Sequence, residues 1–198
     1  MHISEGILPG WILTAGWGLT IAGTAAGLKK IDDRKIPLVA LLSSVFFVAS
    51  LIHIPVGITS VHLLTNGLAG MLLGWAAFPA MLVALFLQAV LFQFGGLTVL
   101  GVNTFNMALP GVIAHYLTRK ITLKHPSLAG IIGATVGVFG GALLLSSELW
   151  LSGSSFKTTA KLAFLAHIPV AVTEAVIYAF IFNFLKRVLP EVLEVKNG

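Results

Sequence analysis

The chain has 198 residues, 57% of them apolar and only 10% charged, with a mean hydropathy of +0.99 and a formal net charge of +5. That composition excludes an ordinary water-soluble domain, which could not cover its surface with polar groups. The absence of cysteine excludes disulfides, zinc–thiolate sites and thiol catalysis, and basic residues dispersed between apolar runs read as membrane-topology signals, not a nucleic-acid patch.

The opening MHISEGILPG has no basic leader region, and the apolar run behind it is long enough to stay in a bilayer. Cleavage as a signal peptide is therefore not expected. Met1 is expected to be retained because methionine removal generally needs a small second residue, which leaves a free amine followed by His2. Apolar runs then predict seven membrane-spanning helices, at 8–28, 36–54, 61–75, 78–94, 97–117, 128–151 and 162–185. The third and fourth are short for a crossing. Pro55 and Gly57 stop the second helix, and the next is expected to start near Val61. Residues 1–198 are read as one all-α integral membrane domain, because no linker is long enough to divide it.

Lysine and arginine set the orientation. Lys29, Lys30, Arg34, Lys35, Arg119, Lys120, Lys124, Lys186, Arg187 and Lys196 fall on one side of an odd number of spans, and only Lys157 and Lys161 on the other. The amino terminus is thus expected outside and folded into the bundle, with the carboxy terminus cytoplasmic. The membrane is expected to be the prokaryotic cytoplasmic (inner) membrane, crossed several times.

An amine followed by histidine is a chelator. The Met1 amine, the His2 backbone nitrogen and His2 Nδ1 close a five- and a six-membered ring on one metal. Three such nitrogens occupy three corners of a square, and a fourth completes the square-planar geometry suited to Ni(II) or Cu(II); zinc prefers a tetrahedron. IHIPVGITSVHL, residues 52–63, breaks the apolar pattern on the same expected side as Met1. Non-helical backbone at membrane depth is tolerated where protein or a water-lined cavity satisfies it. His53 and His62 flank the break, and spacing alone leaves either as the fourth donor. The alternative is two interfacial histidines with ordinary hydrogen bonds.

MHISEG at the start, GITSVHLL after the second span and LQAVLFQFGGLTVLGVNTFNMALPG together resemble the CbiM/NikM family, the substrate-capture (S) components of energy-coupling factor importers for cobalt and nickel. The resemblance covers most of the chain and is weakest from about 121 to 161. The MHI start combined with the Gly57-to-His62 spacing is its specific part. It implies metal ligands on Met1, His2 and His62, an extra first helix that brings the amino terminus into the site, and Ni2+ or Co2+ as transported substrate. It also implies a coupling transmembrane subunit, two ATPase subunits and a small accessory membrane subunit as partners, besides membrane lipid.

Four polar residues are candidates to support the ion from behind its ligands: His53, Gln93, Asn103 and Glu174. Glu174 lies inside the seventh span without a nearby cation, where a carboxylate is costly and is functional or paired by default. It is weighed as a group that orients a ligating imidazole or balances the cation, against a protonated acid tying helices together. Gln88, Gln93, Asn103 and Asn106 surround the FGG turn between the fourth and fifth spans, and helix-to-helix hydrogen bonding is the favoured account of Gln88 and Asn106. HIPV occurs at 53–56 and again at 167–170, too short a match to claim a repeat, and Pro169 is expected to kink the seventh helix. GxxxG spacings at Gly23–Gly27, Gly70–Gly74 and Gly133–Gly137 allow close helix approach.

No glycine loop ends in GK[ST], so the chain is expected neither to bind nucleotide nor to hydrolyse ATP. An intramembrane hydrolase needs a nucleophile beside a base, yet HExxH and GxSxG are absent and Ser60 near His62 is the sole pairing. A secondary metal-ion transporter is the third alternative, but the chain is short and shows no clear inverted repeat. The favoured reading is a non-catalytic metal-binding subunit of an ATP-driven Ni(II) or Co(II) importer, with nickel favoured by four nitrogens in a plane. Since Cu(II) prefers such donors still more strongly, availability and delivery must contribute to selectivity.

Overall fold

A computed structural model describes residues 2–51, 53–56 and 59–193, with only the backbone of 53–56 and 59–61. Seven α-helices occur among the described residues: α1 (Gly10–Leu28), α2 (Ile36–Ala49), α3 (Asn66–Leu73), α4 (Ala77–Phe92), α5 (Leu100–Thr118), α6 (Pro126–Leu151) and α7 (Lys157–Val188). Between α2 and α3 lie two short strands, β1 (His53–Val56) and β2 (Thr59–His62).

Each α-helix overlaps one of the seven expected segments, but the expectation of seven crossing-length helices needs correction. Four stretches are long and apolar enough to cross a membrane: Gly10–Leu28, Asn66–Phe92, Pro126–Leu151 and Ser154–Val188; α2 is apolar but shorter. The third segment forms only the eight residues of α3, about 12 Å of helix against a hydrocarbon core of about 30 Å. It is interrupted at Gly74, whose φ of +57° lies where glycine is at ease, and a 3₁₀ turn leads into α4. α5 has crossing length but carries Asn103, Asn106 and His115. It sits at the centre, packed against α1, α3, α4 and α6, so few of its faces need to suit lipid.

The break after α2 also differs from expectation. A helix was expected near Val61, but β1 and β2 pair antiparallel, with His53 opposite His62 and Val56 opposite Thr59. The segment is rich in β-branched residues, which favour extended backbone over helix. The helix resumes only at Asn66, after Thr65 in a left-handed conformation (φ 48°). α7 runs unbroken through Pro169.

The GxxxG glycines mark close helix crossings. A Cβ added at Gly137 would lie 2.8 Å from Gly67 Cα, and one at Gly27 would lie 2.7 Å from Pro79 Cδ. Small residues at such positions replace the hydrophobic drive that lipid removes. Large apolar side chains such as Trp11, Ile21, Val48, Leu91, Val172 and Phe180 are exposed around the outside, as suits a protein solvated by acyl chains and not by water.

Candidate metal site

The amino-terminal segment enters the bundle. His2 is 5% exposed and Ile3 is fully buried. The Ile3 amide donates to Asn103 Oδ1 at 3.0 Å, and Asn103 Nδ2 donates back to the Ile3 carbonyl at 3.1 Å. One side-chain amide therefore satisfies both backbone groups of a buried residue, as a neighbouring strand would. Further along, Glu5 N donates to the Gly95 carbonyl at 3.2 Å, and Glu5 Oε1 accepts from Thr98 N at 2.9 Å. The Thr98 backbone N–H, followed by its side chain, holds the Glu5 carboxyl below the usual carboxylate range. The FGG turn can meet this segment because Gly95 and Gly96 adopt φ of 76° and 128°, which side chains resist.

His2 and His62 face each other with ring centroids 4.9 Å apart and planes at 37°. His2 Nε2 lies 2.9 Å from Gln88 Oε1. The orientation of Gln88 is set by its own Nε2, which donates to the Phe47 carbonyl at 3.0 Å and to Ser50 Oγ. Oε1 must then accept, which assigns the His2 hydrogen to Nε2 and the lone pair to Nδ1. At His62 the assignment reverses. Its Nδ1 lies 2.8 Å from the Leu63 carbonyl, an acceptor only, so Nδ1 carries the hydrogen and Nε2 the lone pair. Burial lowers the His62 pKa to about 4 against the opposing pull of the Leu63 carbonyl, and the ring is neutral at physiological pH.

His62 is positioned through the residues that follow it. The Leu64 and Thr65 amides both donate to Glu174 Oε1, the latter at 3.0 Å, and Tyr178 OH donates to Glu174 Oε2 at 2.7 Å. Glu174 lies on α7, is 1% exposed, and ties that helix to the backbone leaving β2.

Of the residues anticipated from sequence, His2, His62 and Asn103 gather in one place, and Glu174 braces it from α7. Met1 lies outside the described residues. His53 is opposite His62 in the backbone ladder, but its side chain is outside the described set. Two of the anticipated residues sit differently from the ligand pair. Gln93 is exposed and ends α4 in a left-handed conformation, with its amide bonded to the Ala89 carbonyl; the glutamine on His2 is Gln88, on the buried face of that helix. Glu174 accepts from the Leu64 and Thr65 amides, in keeping with the helix-tying account weighed for it. Gln88 and Ser50 were not anticipated at the site. A glutamine in an apolar run is a signal, but nothing in the sequence pairs it with a histidine 86 positions away. Among the described residues no three His, Cys, Asp or Glu side chains cluster as a ligand set, so an ion here needs donors beyond those side chains.

Residues 2–192 match the CbiM family, described as the cobalt uptake substrate-specific transmembrane region. A Haemophilus influenzae protein named for metal transport is 47% identical over 98% of this chain and 97% of its own length. The cobalt transport protein CbiM of Kyrpidia tusciae is 33% identical over 98% of this chain and 86% of that protein. A crystal structure of a transition metal transporter superposes with a TM-score of 0.81 at 27% identity, covering 95% of this chain and 93% of the other.

Proposed function

The chain belongs to the CbiM family and is a membrane transport component for cobalt or nickel, and from that premise we propose that it captures a divalent ion, nickel in preference, in a square of four nitrogens. Three are the Met1 amine, the His2 backbone nitrogen and His2 Nδ1, and the fourth is His62 Nε2. The observation that carries this reading is the pair of facing imidazoles. Gln88 and the Leu63 carbonyl take up the opposite nitrogen of each ring, which is how ligating histidines are ordinarily oriented. In the chelate His2 Nδ1 and the fourth donor occupy adjacent corners. With metal–nitrogen bonds of about 2.0–2.1 Å, imidazoles at adjacent corners have centroids about 4.5 Å apart, near the 4.9 Å separation here.

The ion enters from the outer face, loses water and exchanges protons for nitrogen donors, so capture weakens as pH falls. Met1 and the β1–β2 hairpin face outside and Gly198 faces the cytoplasm of a prokaryotic inner membrane. The split of basic residues supports this orientation. Release inward is driven by a coupling transmembrane subunit, two ATPase subunits and a small accessory membrane subunit of an energy-coupling factor importer. In line with a multi-part machine, a relative in Rhodobacter capsulatus is named a fused nickel transport protein NikMN.

The test is the start of the chain. One alanine placed before Met1 converts the amine to an amide and moves the chelate rings out of sequence, while every side chain and helix remains. Nickel titration by calorimetry should show the native and carboxy-tagged proteins binding one ion tightly and the amino-extended protein binding far more weakly. Equal affinity in all three, with folding verified, would sink the terminal chelate.

A further inference from the structure

The buried residues of α7 form one stripe: Ala160, Ala163, His167, Ala171, Glu174, Tyr178 and Phe182. Ala160 lies near the helix start, where its carbonyl accepts the Ser146 hydroxyl at 3.0 Å. Glu174 holds the amides of Leu64 and Thr65. His167 is seven residues, about 10 Å, from each, with only alanines between. α7 packs against β2, and the backbone runs from Leu64 at Glu174 back to His62 over about 7 Å of extended chain. His167 is thus the polar group that α7 presents on the His62 side of Glu174.

The ring itself is arranged as a ligand. Nδ1 lies 2.6 Å from the Ala163 carbonyl one turn earlier, which assigns it the hydrogen. Nε2 then carries a lone pair, and it is buried with no hydrogen-bond partner among the described residues, on a fully buried side chain. Buried polar atoms without partners are few in native proteins, and each calls for an explanation. Neutral imidazole nitrogen suits the borderline divalent ions that the amino-terminal square would take.

We propose that His167 Nε2 is a second, weaker ligand for the transported divalent ion, shared with His62 and separate from the amino-terminal square. This rests on the capture site proposed above. An ion leaving the square keeps its bond to His62, exchanges the amino-terminal nitrogens for His167, and so is freed from the amino terminus without returning to bulk water.

The experiment uses the full-length chain in detergent and nickel chloride as the probe. Four proteins are titrated by calorimetry: native, amino-extended by one alanine, His167→Gln, and the extended His167→Gln combination. The extended protein should retain one equivalent of binding at least about 100-fold weaker than native, and the combination should lose it. His167→Gln alone should bind within about threefold of native, since the square does not use this residue. Extended proteins that bind equally with and without His167, or an extended protein that binds no nickel, would overturn the second station. A single His167→Gln variant that loses native affinity would overturn it too, by placing His167 in the tight site. Failure of the native protein to bind nickel is a different result and would refute the capture site itself.

Discussion

Gln88 decides which nitrogen of His2 carries the hydrogen. Its amide donates to Phe47 and Ser50 at one end and accepts from His2 Nε2 at 2.9 Å at the other. The terminal chelate needs the remaining nitrogen, Nδ1, because only that atom closes a six-membered ring with the backbone nitrogen.

Gln88→Leu should therefore lower nickel affinity by roughly 10–100-fold, the usual cost of losing a group that orients a metal-bound histidine. Gln88→Glu, which still accepts from Nε2, should recover most of it. Calorimetric titration of both variants checks this, and an unchanged affinity in Gln88→Leu would detach Gln88 from the metal chemistry.

Glu174 should matter more to stability than to ligation. Glu174→Ala strands the Leu64 and Thr65 amides and the Tyr178 hydroxyl, at about 1–3 kcal/mol for each group left buried and unpaired. Tyr178→Phe strands one group, Glu174 Oε2, in place of three and should cost about 1–3 kcal/mol in all. Thermal unfolding in detergent should rank Glu174→Ala well below Tyr178→Phe, and an inverted order would contradict the bracing role.

Protons should compete at the amine and not at His62. Burial lowers the His62 pKa from its ordinary 6.5 to about 4. A depressed histidine contributes stability that is complete above pH 6.5 and is lost as pH falls towards 4. Nickel binding at pH 6 should then release no proton from His62, and its weakening from pH 8 to 6 should follow the terminal amine, ordinarily near 7.7–8.0, on top of the one proton that the His2 backbone N–H gives up at every pH. Proton release measured by calorimetry in buffers of different ionisation enthalpy should be the same for wild type and His62→Ala after correction for occupancy. A difference of one proton at pH 6 would refute the neutral ring.

Gly137→Val should destabilise the crossing of α3 with α6. The added Cβ would meet Gly67 Cα at 2.8 Å, backbone that cannot swing aside, and overpacking of this kind costs typically about 1–3 kcal/mol. A melting temperature equal to wild type would show that these helices separate easily.

Reporter fusions test the orientation. Fusions at Lys30 and Gly198 should read cytoplasmic, and an external signal at either would part Met1 from the hairpin it is proposed to meet.

Helix positions were legible because apolar runs of bilayer length report their own environment. α3 was less so: its apolar run continues into α4, and the interruption depends on the backbone of Gly74 and the left-handed turn at Thr65. The hairpin was missed because Val61 and His62 stand beside an apolar run that reads equally well as helix. At the site, His2 was legible through chemistry local to two residues. Asn103 was flagged as a polar group near a turn, but its partner, the backbone of Ile3, is 100 residues away. Gln88 and Gln93 look alike in sequence, and only the end of α4 after Phe92 separates a buried amide from an exposed one.

The Asn103 clamp on Ile3 has a consequence in time. Every described partner that seats the amino end, from Gln88 to Asn103, is synthesised roughly 90–100 residues after it. At about 5–20 residues per second, the first residues made must wait roughly 5–20 s before their seat exists. During that interval the terminus is open to any enzyme that trims or acetylates nascent chains. If the proposed terminal chelate holds, maturation is thus a race between the ribosome delivering α5 and modification of the amine that the chelate uses.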